Sequence, residues 1–319
     1  MSFQKRGAIQ YPRMKVFISI LLIASLLILS ACGSGGDTAV PQDRPIEVTA
    51  TTGMVADIVK NVGGDRVHVT ALMGPGVDPH LYKASQGDIG RLAKAHMIFY
   101  SGIHLEGKMT EILSKLSQEK PVIPVADAIE KKKLMKTGDN QYDPHVWFDV
   151  QLWMEAVKSV DQELSKADPQ HKDDYHRRAQ KYLAQLEELD QYAREQIKSI
   201  PQERRVMVTA HDAFGYFGRA YDIEVVGLQG ISTASEYGLK DVRRIVNLLA
   251  DRKIKAVFME SSVPKRSIQA VVEGTKKKGH TIDIGGELFS DAMGEDGTKE
   301  GTYIGMVRYN VDTIVSALK

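Results

Sequence analysis

Between Asp168-Pro169 and Pro201 the chain carries one long helical pattern, and that pattern divides everything else. Tyr175, Ala179, Tyr182, Leu186, Leu189, Ala193 and Ile197 recur at spacings of three and four. Asp168 before Pro169 reads as an N-cap with proline at the first helical position, and Pro201 closes the pattern. At 1.5 Å per residue this helix is about 45 Å long. Its other positions mix charges of both signs, as a solvated face does. On either side, short apolar runs alternate with helical segments. Before it, 46–51, 67–73, 97–100 and 122–125 read as strands, with helices over 54–61 and 150–166. After it, 206–210, 224–228, 255–259 and 281–284 read as strands, separated by helices near 212–220, 238–252 and 264–278. This alternation predicts an α/β chain of two lobes, 46–167 and 201–319, each a parallel β-sheet flanked by helices. The connecting α-helix, 168–200, is stiff and permits less hinge motion than a pair of flexible strands would.

The amino terminus has a different grammar. Residues 16–29 are apolar apart from Ser19 and Ser25, and Lys5, Arg6, Arg13 and Lys15 lie upstream. That run is short for a membrane span but suits the apolar region of a secretory signal. It ends in Leu29-Ser30-Ala31-Cys32, which matches the bacterial lipobox; there the cysteine thiol takes a diacylglycerol and becomes the new amino terminus. The expectation is a lipoprotein signal peptide over 1–31, with Met1 or Met14 as the start. A lipidated Cys32 and a flexible tether over 32–45, opening with Gly33-Ser34-Gly35-Gly36, follow it. The protein is then lipid-anchored on the extracytoplasmic face of the cell membrane. Cys32 is the one cysteine in 319 residues, so an internal disulfide, a thiolate zinc site and an iron–sulfur cluster are excluded. Against 41 acidic residues stand 42 basic ones, which gives no electrostatic footprint for nucleic acid.

Chemistry must therefore come from nitrogen and oxygen donors, and the nine histidines are the place to look. His171 and His176 sit on the charged connector, His68 lies inside a strand pattern, and His280 precedes one. His96 and His104 flank 97–100 with no partner at ligand spacing. Three others differ. Asp78-Pro79-His80 and Asp143-Pro144-His145 repeat one tripeptide, and proline stiffens each loop that presents the histidine. His211 follows the strand 206–210, at the carboxyl end where open parallel sheets hold ligands. Three imidazoles bind a divalent transition metal and leave at least one position open. Asp291, Asp296, Glu260 and Glu287 are the carboxylate candidates, and position alone does not separate them.

Four segments in this order carry a resemblance: Gly76-Val77-Asp78-Pro79-His80, Asp143-Pro144-His145-Val146-Trp147, Thr209-Ala210-His211-Asp212-Ala213-Phe214-Gly215-Tyr216-Phe217 and Leu288-Phe289-Ser290-Asp291. With the lipobox, they make the sequence similar, over nearly its whole length, to the TroA-like metal-binding lipoproteins of bacterial ABC importers, and closest to the manganese-binding type. The resemblance implies two α/β lobes joined by one long helix, with a single metal site between the lobes. It implies the ligands His80, His145, His211 and Asp291, and leaves Glu260 a supporting role. The implied partners are a membrane permease and its ATPase, with the binding protein a monomer.

The cargo is read in two ways. Three nitrogens and one carboxylate favour zinc by intrinsic affinity, and manganese-type relatives often carry glutamate where this chain has His211. Zinc-type relatives usually have a His- and acid-rich loop before the second ligand, whereas 131–138 here is lysine-rich and holds no histidine. The reading favours manganese as cargo, with zinc the alternative. An extracellular zinc hydrolase using Glu260 as general base is a rival reading, although no His-Glu-x-x-His motif is present. An adhesin with a structural metal is another.

Overall fold

The computed structural model describes residue 2, residues 44–138 and residues 141–319. The expected signal peptide beyond residue 2, Cys32 and the tether as far as residue 43 lie outside the described residues. Among the described residues no helix is long and apolar enough to cross a membrane.

The first half runs β1 (Ile46–Ala50), α1 (Gly53–Gly63), β2 (Val67–Ala71), α2 (Gln86–Lys94), β3 (Met97–Tyr100), α3 (Thr110–Leu116) and β4 (Val122–Pro124). Its four strands form one parallel sheet in the order β2-β1-β3-β4. A small antiparallel pair, β5 (Lys136–Gly138) and β6 (Gln141–Tyr142), precedes α4 (Val150–Ala167). The long helix is α5 (Lys172–Lys198). The second half follows as β7 (Val206–His211), α6 (Gly215–Tyr221), β8 (Glu224–Gln229), α7 (Leu239–Asp251), β9 (Ala256–Glu260), α8 (Arg266–Lys277), β10 (Asp283–Leu288) and α9 (Tyr303–Leu318). Here the strands pair in parallel as β7 with β8 and β9 with β10, and β7 lies beside β9.

Local chemistry sets several of these elements. The Thr52 hydroxyl caps α1, a Ser85–Asp88 capping box starts α2, and the Asp149 carboxylate accepts from the first amides of α4. All seven apolar positions expected on the long helix are buried. Each fully buried leucine or isoleucine of that stripe contributes about 1.5–3 kcal/mol. The stripe meets α1 and α4 from the first half and α6 and α9 from the second. One hydrophobic core therefore runs through both halves, joining Met54, Trp153, Leu186, Phe217 and Met306. A separate core under α7 and α8 holds Val208, Ile245, Val257 and Val271.

Two expectations are corrected, and one helix is added to them. Asp168 does not cap the long helix: Pro169–His171 form a 3-10 turn first, and the Asp168 carboxylate instead accepts from Arg66, His171 and the Tyr175 hydroxyl. The last strand does not stop at 284. It continues to Leu288 through Gly285-Gly286, with a register shift between Ile284 and Gly286. A Cβ at Gly286, whose φ is 146°, would come within 2.4 Å of Thr313 on α9, so glycine is what lets that helix lie close against the strand. The helix α9 itself closes the fold beyond the last segment read from the sequence.

Candidate metal centre

The two Asp-Pro-His tripeptides fold alike. The Asp78 carboxylate accepts the His80 amide at 2.9 Å, and the Asp143 carboxylate accepts the His145 amide at 3.0 Å. Each is a turn in which the aspartate hydrogen-bonds its own backbone two residues on, with proline fixing the middle. His211 is the last residue of β7, and Asp291 lies three residues past the end of β10. The loop that carries Asp291 is held on both sides. Asn310 of α9 accepts the Phe289 amide and donates to the Phe289 carbonyl, while Ser290 meets Ser262 and accepts from the Trp147 indole.

These segments bring His80, His145, His211 and Asp291 together, each buried, with one donor atom from every residue within 4.8 Å of the others. The His80 and His145 Nε2 atoms are 3.2 Å apart. Asp291 faces all three rings, at 3.6 Å from His80 Nε2, 3.5 Å from His145 Nε2 and 3.3 Å from His211 Nε2. Two of the rings are oriented from behind. His145 Nδ1 lies 2.7 Å from Asp143, and His211 Nδ1 lies 2.5 Å from Glu260, whose other oxygen accepts the His211 amide at 2.8 Å. When Nδ1 donates to a carboxylate, the Nε2 lone pair is left for a metal.

Electrostatics favour a cation at the common centre. Burial drives the His80 imidazole down to about 4, so that ring is neutral at pH 7. Burial also disfavours charge on His211, but Glu260 and Asp291 outweigh it and hold that ring well above the ordinary histidine value. For Asp291 burial alone would raise the carboxyl; the facing imidazoles, His211 first, hold it below the usual carboxylate range and therefore ionised. His211 Nε2 and both Asp291 oxygens are buried without a hydrogen-bond partner among the described residues. Buried polar atoms are rarely left so, and this donor set could hold one metal ion.

The remaining candidates lie elsewhere. Glu260 stands behind His211, Glu287 pairs with Lys265 at the surface, and Asp296 lies in the exposed turn after Asp291. His68 pairs with Glu47, His96 accepts the Glu47 amide, and His171 and His176 meet Asp168 and Asp161. His280 bonds the Ile254 carbonyl. Sequence reasoning missed the role of Asp143 behind His145, for which the duplicated tripeptide was the available signal. It also missed Asn310 and Trp147 as supports of the Asp291 loop, which carry no local signature.

A family model described as ZnuA, zinc-uptake complex component A, periplasmic, matches residues 48–317. The manganese-binding lipoprotein MntA of Bacillus subtilis (strain 168) is 55% identical over 294 residues, which cover 91% of this chain and 95% of that protein. The zinc-binding protein TroA of Treponema pallidum (strain Nichols) is 50% identical over 284 residues, covering 89% and 92%. The solved structure of the periplasmic zinc-binding protein TroA from Treponema pallidum superposes with a TM-score of 0.84, covering 86% of this chain and 99% of that one. The chain belongs to the ZnuA/TroA family of metal-binding solute-binding proteins, which is not a family of enzymes. Its named relatives include manganese-binding and zinc-binding members, so the two cargo readings made from the sequence both have counterparts.

Proposed function

We propose that this protein is the lipid-anchored, extracytoplasmic binding component of a bacterial ABC importer, and that it captures one divalent transition metal, manganese in the first place. The observation that carries the reading is the buried convergence of three Nε2 atoms on an ionised carboxylate, with His145 and His211 already oriented by carboxylates of their own. In this reading His80, His145, His211 and Asp291 replace the hydration shell of the ion. The divisions 46–167 and 201–319 act as lobes on the strut 168–200, and a modest relative movement at the permease loosens the ligands. Cys32 carries the acyl anchor, the protein works as a monomer, and it has no catalytic role. Resemblance to a manganese-binding lipoprotein at 55% identity supports manganese, and the lysine-rich 131–138 segment agrees with it.

Zinc is the second reading, favoured by the donor set itself, because three imidazoles bind zinc more tightly than manganese. A hydrolase is disfavoured by Glu260, since both of its oxygens are engaged by His211, one on the amide and one on Nδ1 rather than on Nε2. Elemental analysis of the protein isolated from its own host tests the assignment. One manganese per chain is expected, falling to none in His80→Ala and His145→Ala; zinc in its place would select the second reading. Protein that carries neither ion, and binds neither in calorimetry, would overturn both.

A further inference from the structure

Around the candidate metal centre the two halves are joined unevenly. On the His145 side, buried bonds tie them closely: Tyr216 donates to the Asp143 carbonyl at 3.0 Å, Trp147 to the Ser290 carbonyl at 3.1 Å, and Tyr303 to the Trp147 carbonyl at 2.6 Å. On the His80 side, the loop from Gly74 to His80 makes one side-chain hydrogen bond to the second half outside the metal centre, among the described residues. Thr233 donates its hydroxyl to the Asp78 carboxylate at 2.6 Å. Thr233 lies between β8 and α7, in a segment without helix or strand that Gln229 steadies by donating to the Thr233 and Ser235 carbonyls.

The same side also holds its histidine less directly. His145 and His211 each have a carboxylate on Nδ1, whereas His80 Nδ1 has no hydrogen-bond partner among the described residues. What orients His80 is its backbone, through the Asp78 oxygen that accepts its amide at 2.9 Å. One carboxylate therefore does two things: with one oxygen it shapes the His80 turn, and with the other it holds that turn to the opposite half. Asp143, its counterpart in the repeated tripeptide, places one oxygen on both the amide and the ring of His145, and its other oxygen has no partner among the described residues.

We propose that Thr233 is a positioning residue for cation retention: by holding Asp78 it keeps the His80 loop closed on the second half and sets the rate at which the bound ion leaves. This rests on the metal-binding reading given above. Among the described residues no hydrogen bond joins Thr233 to His80, His145, His211 or Asp291, so its effect passes through Asp78.

The test uses the full chain loaded with Mn2+, mixed rapidly with excess chelator, with release followed by tryptophan fluorescence. Trp147 is a suitable reporter because its ring centroid lies 5.2 Å from that of His145. Thr233→Val keeps the shape and removes the donor, and the dissociation rate should rise about tenfold, as expected for a lost hydrogen bond to a charged group. Thr233→Ser restores the hydroxyl and should stay within about twofold of wild type. In an Asp78→Ala background, Thr233→Val should add nothing, a result that a loss of general stability would not produce. A dissociation rate for Thr233→Val equal to that of wild type, or an undiminished effect without Asp78, overturns the proposal while leaving the metal site intact. Wild-type protein that takes up neither Mn2+ nor Zn2+ would remove the metal-binding reading and this inference together.

Discussion

Replacing Glu260 by glutamine tests whether the site is built around a metal or merely packed. Glu260 is 1% exposed and makes two bonds to one residue, 2.5 Å to His211 Nδ1 and 2.8 Å to the His211 amide. An amide retains one acceptor. If its oxygen takes the Nδ1 proton, its NH2 group faces the backbone N–H of His211, donor against donor, so one bond is lost along with the negative charge. Groups that orient a ligating histidine in this way are worth about tenfold to a hundredfold in metal affinity, equivalent to about 1.4–2.7 kcal/mol. Calorimetric titration of Glu260→Gln with Mn2+ and with Zn2+ should show that loss for both ions. Glu287→Gln, a surface carboxylate paired with Lys265, serves as the control and should change nothing. A Glu260→Gln protein that remains folded and binds both ions within about twofold of wild type would refute the reasoning, because orientation of His211 would then be irrelevant to binding.

Stripping the metal should lower the melting temperature. At a free ion concentration of about 100 times Kd the bound ion stabilises by about 2.7 kcal/mol, or about 4–5 °C for a chain of this size, and differential scanning calorimetry with and without chelator reads the difference directly. Asp168 gives a pH-dependent stability. Burial alone would raise its carboxyl, but His171, Tyr175 and Arg66 hold it below the ordinary aspartate value. A carboxyl lowered in the folded state stabilises above its unfolded value of about 3.8 and loses that contribution as pH falls through the folded value. Asp168→Asn should therefore cost about 1–3 kcal/mol in urea unfolding at pH 7, and the gap from wild type should narrow below about pH 3.8.

Much of this was legible from residues alone because it rests on local chemistry. The duplicated Asp-Pro-His tripeptide carries its own turn, and the structure repeats that turn with nearly the same hydrogen bond in both copies. The stripe from Tyr175 to Ile197 is a single-element signal, and every position expected to be buried is buried. What escaped depends on how distant segments meet. Asp291 was not separable from Glu260, Glu287 and Asp296 by position, since the inward turn of its loop is imposed by Asn310 of α9 and by Trp147 of the first half. Asp168 has the neighbours of a helix cap, yet Arg66, far away in the chain, lies against its carboxylate. Gly285-Gly286, directly after 281–284, reads as the end of a strand. It is instead where α9 packs closely enough that a side chain would collide with Thr313 and Ala317.

The most direct measurement is the position of the ion itself. Crystals of the protein loaded with Mn2+ or Zn2+, with anomalous scattering recorded at the metal edge, should show one strong peak. It should lie about 2.0–2.3 Å from the Nε2 atoms of His80, His145 and His211 and from an Asp291 oxygen, with Asp143 and Glu260 still bonded behind two of the rings. A peak at any other set of residues, or loaded protein with no peak among these four, would contradict the assignment of this site.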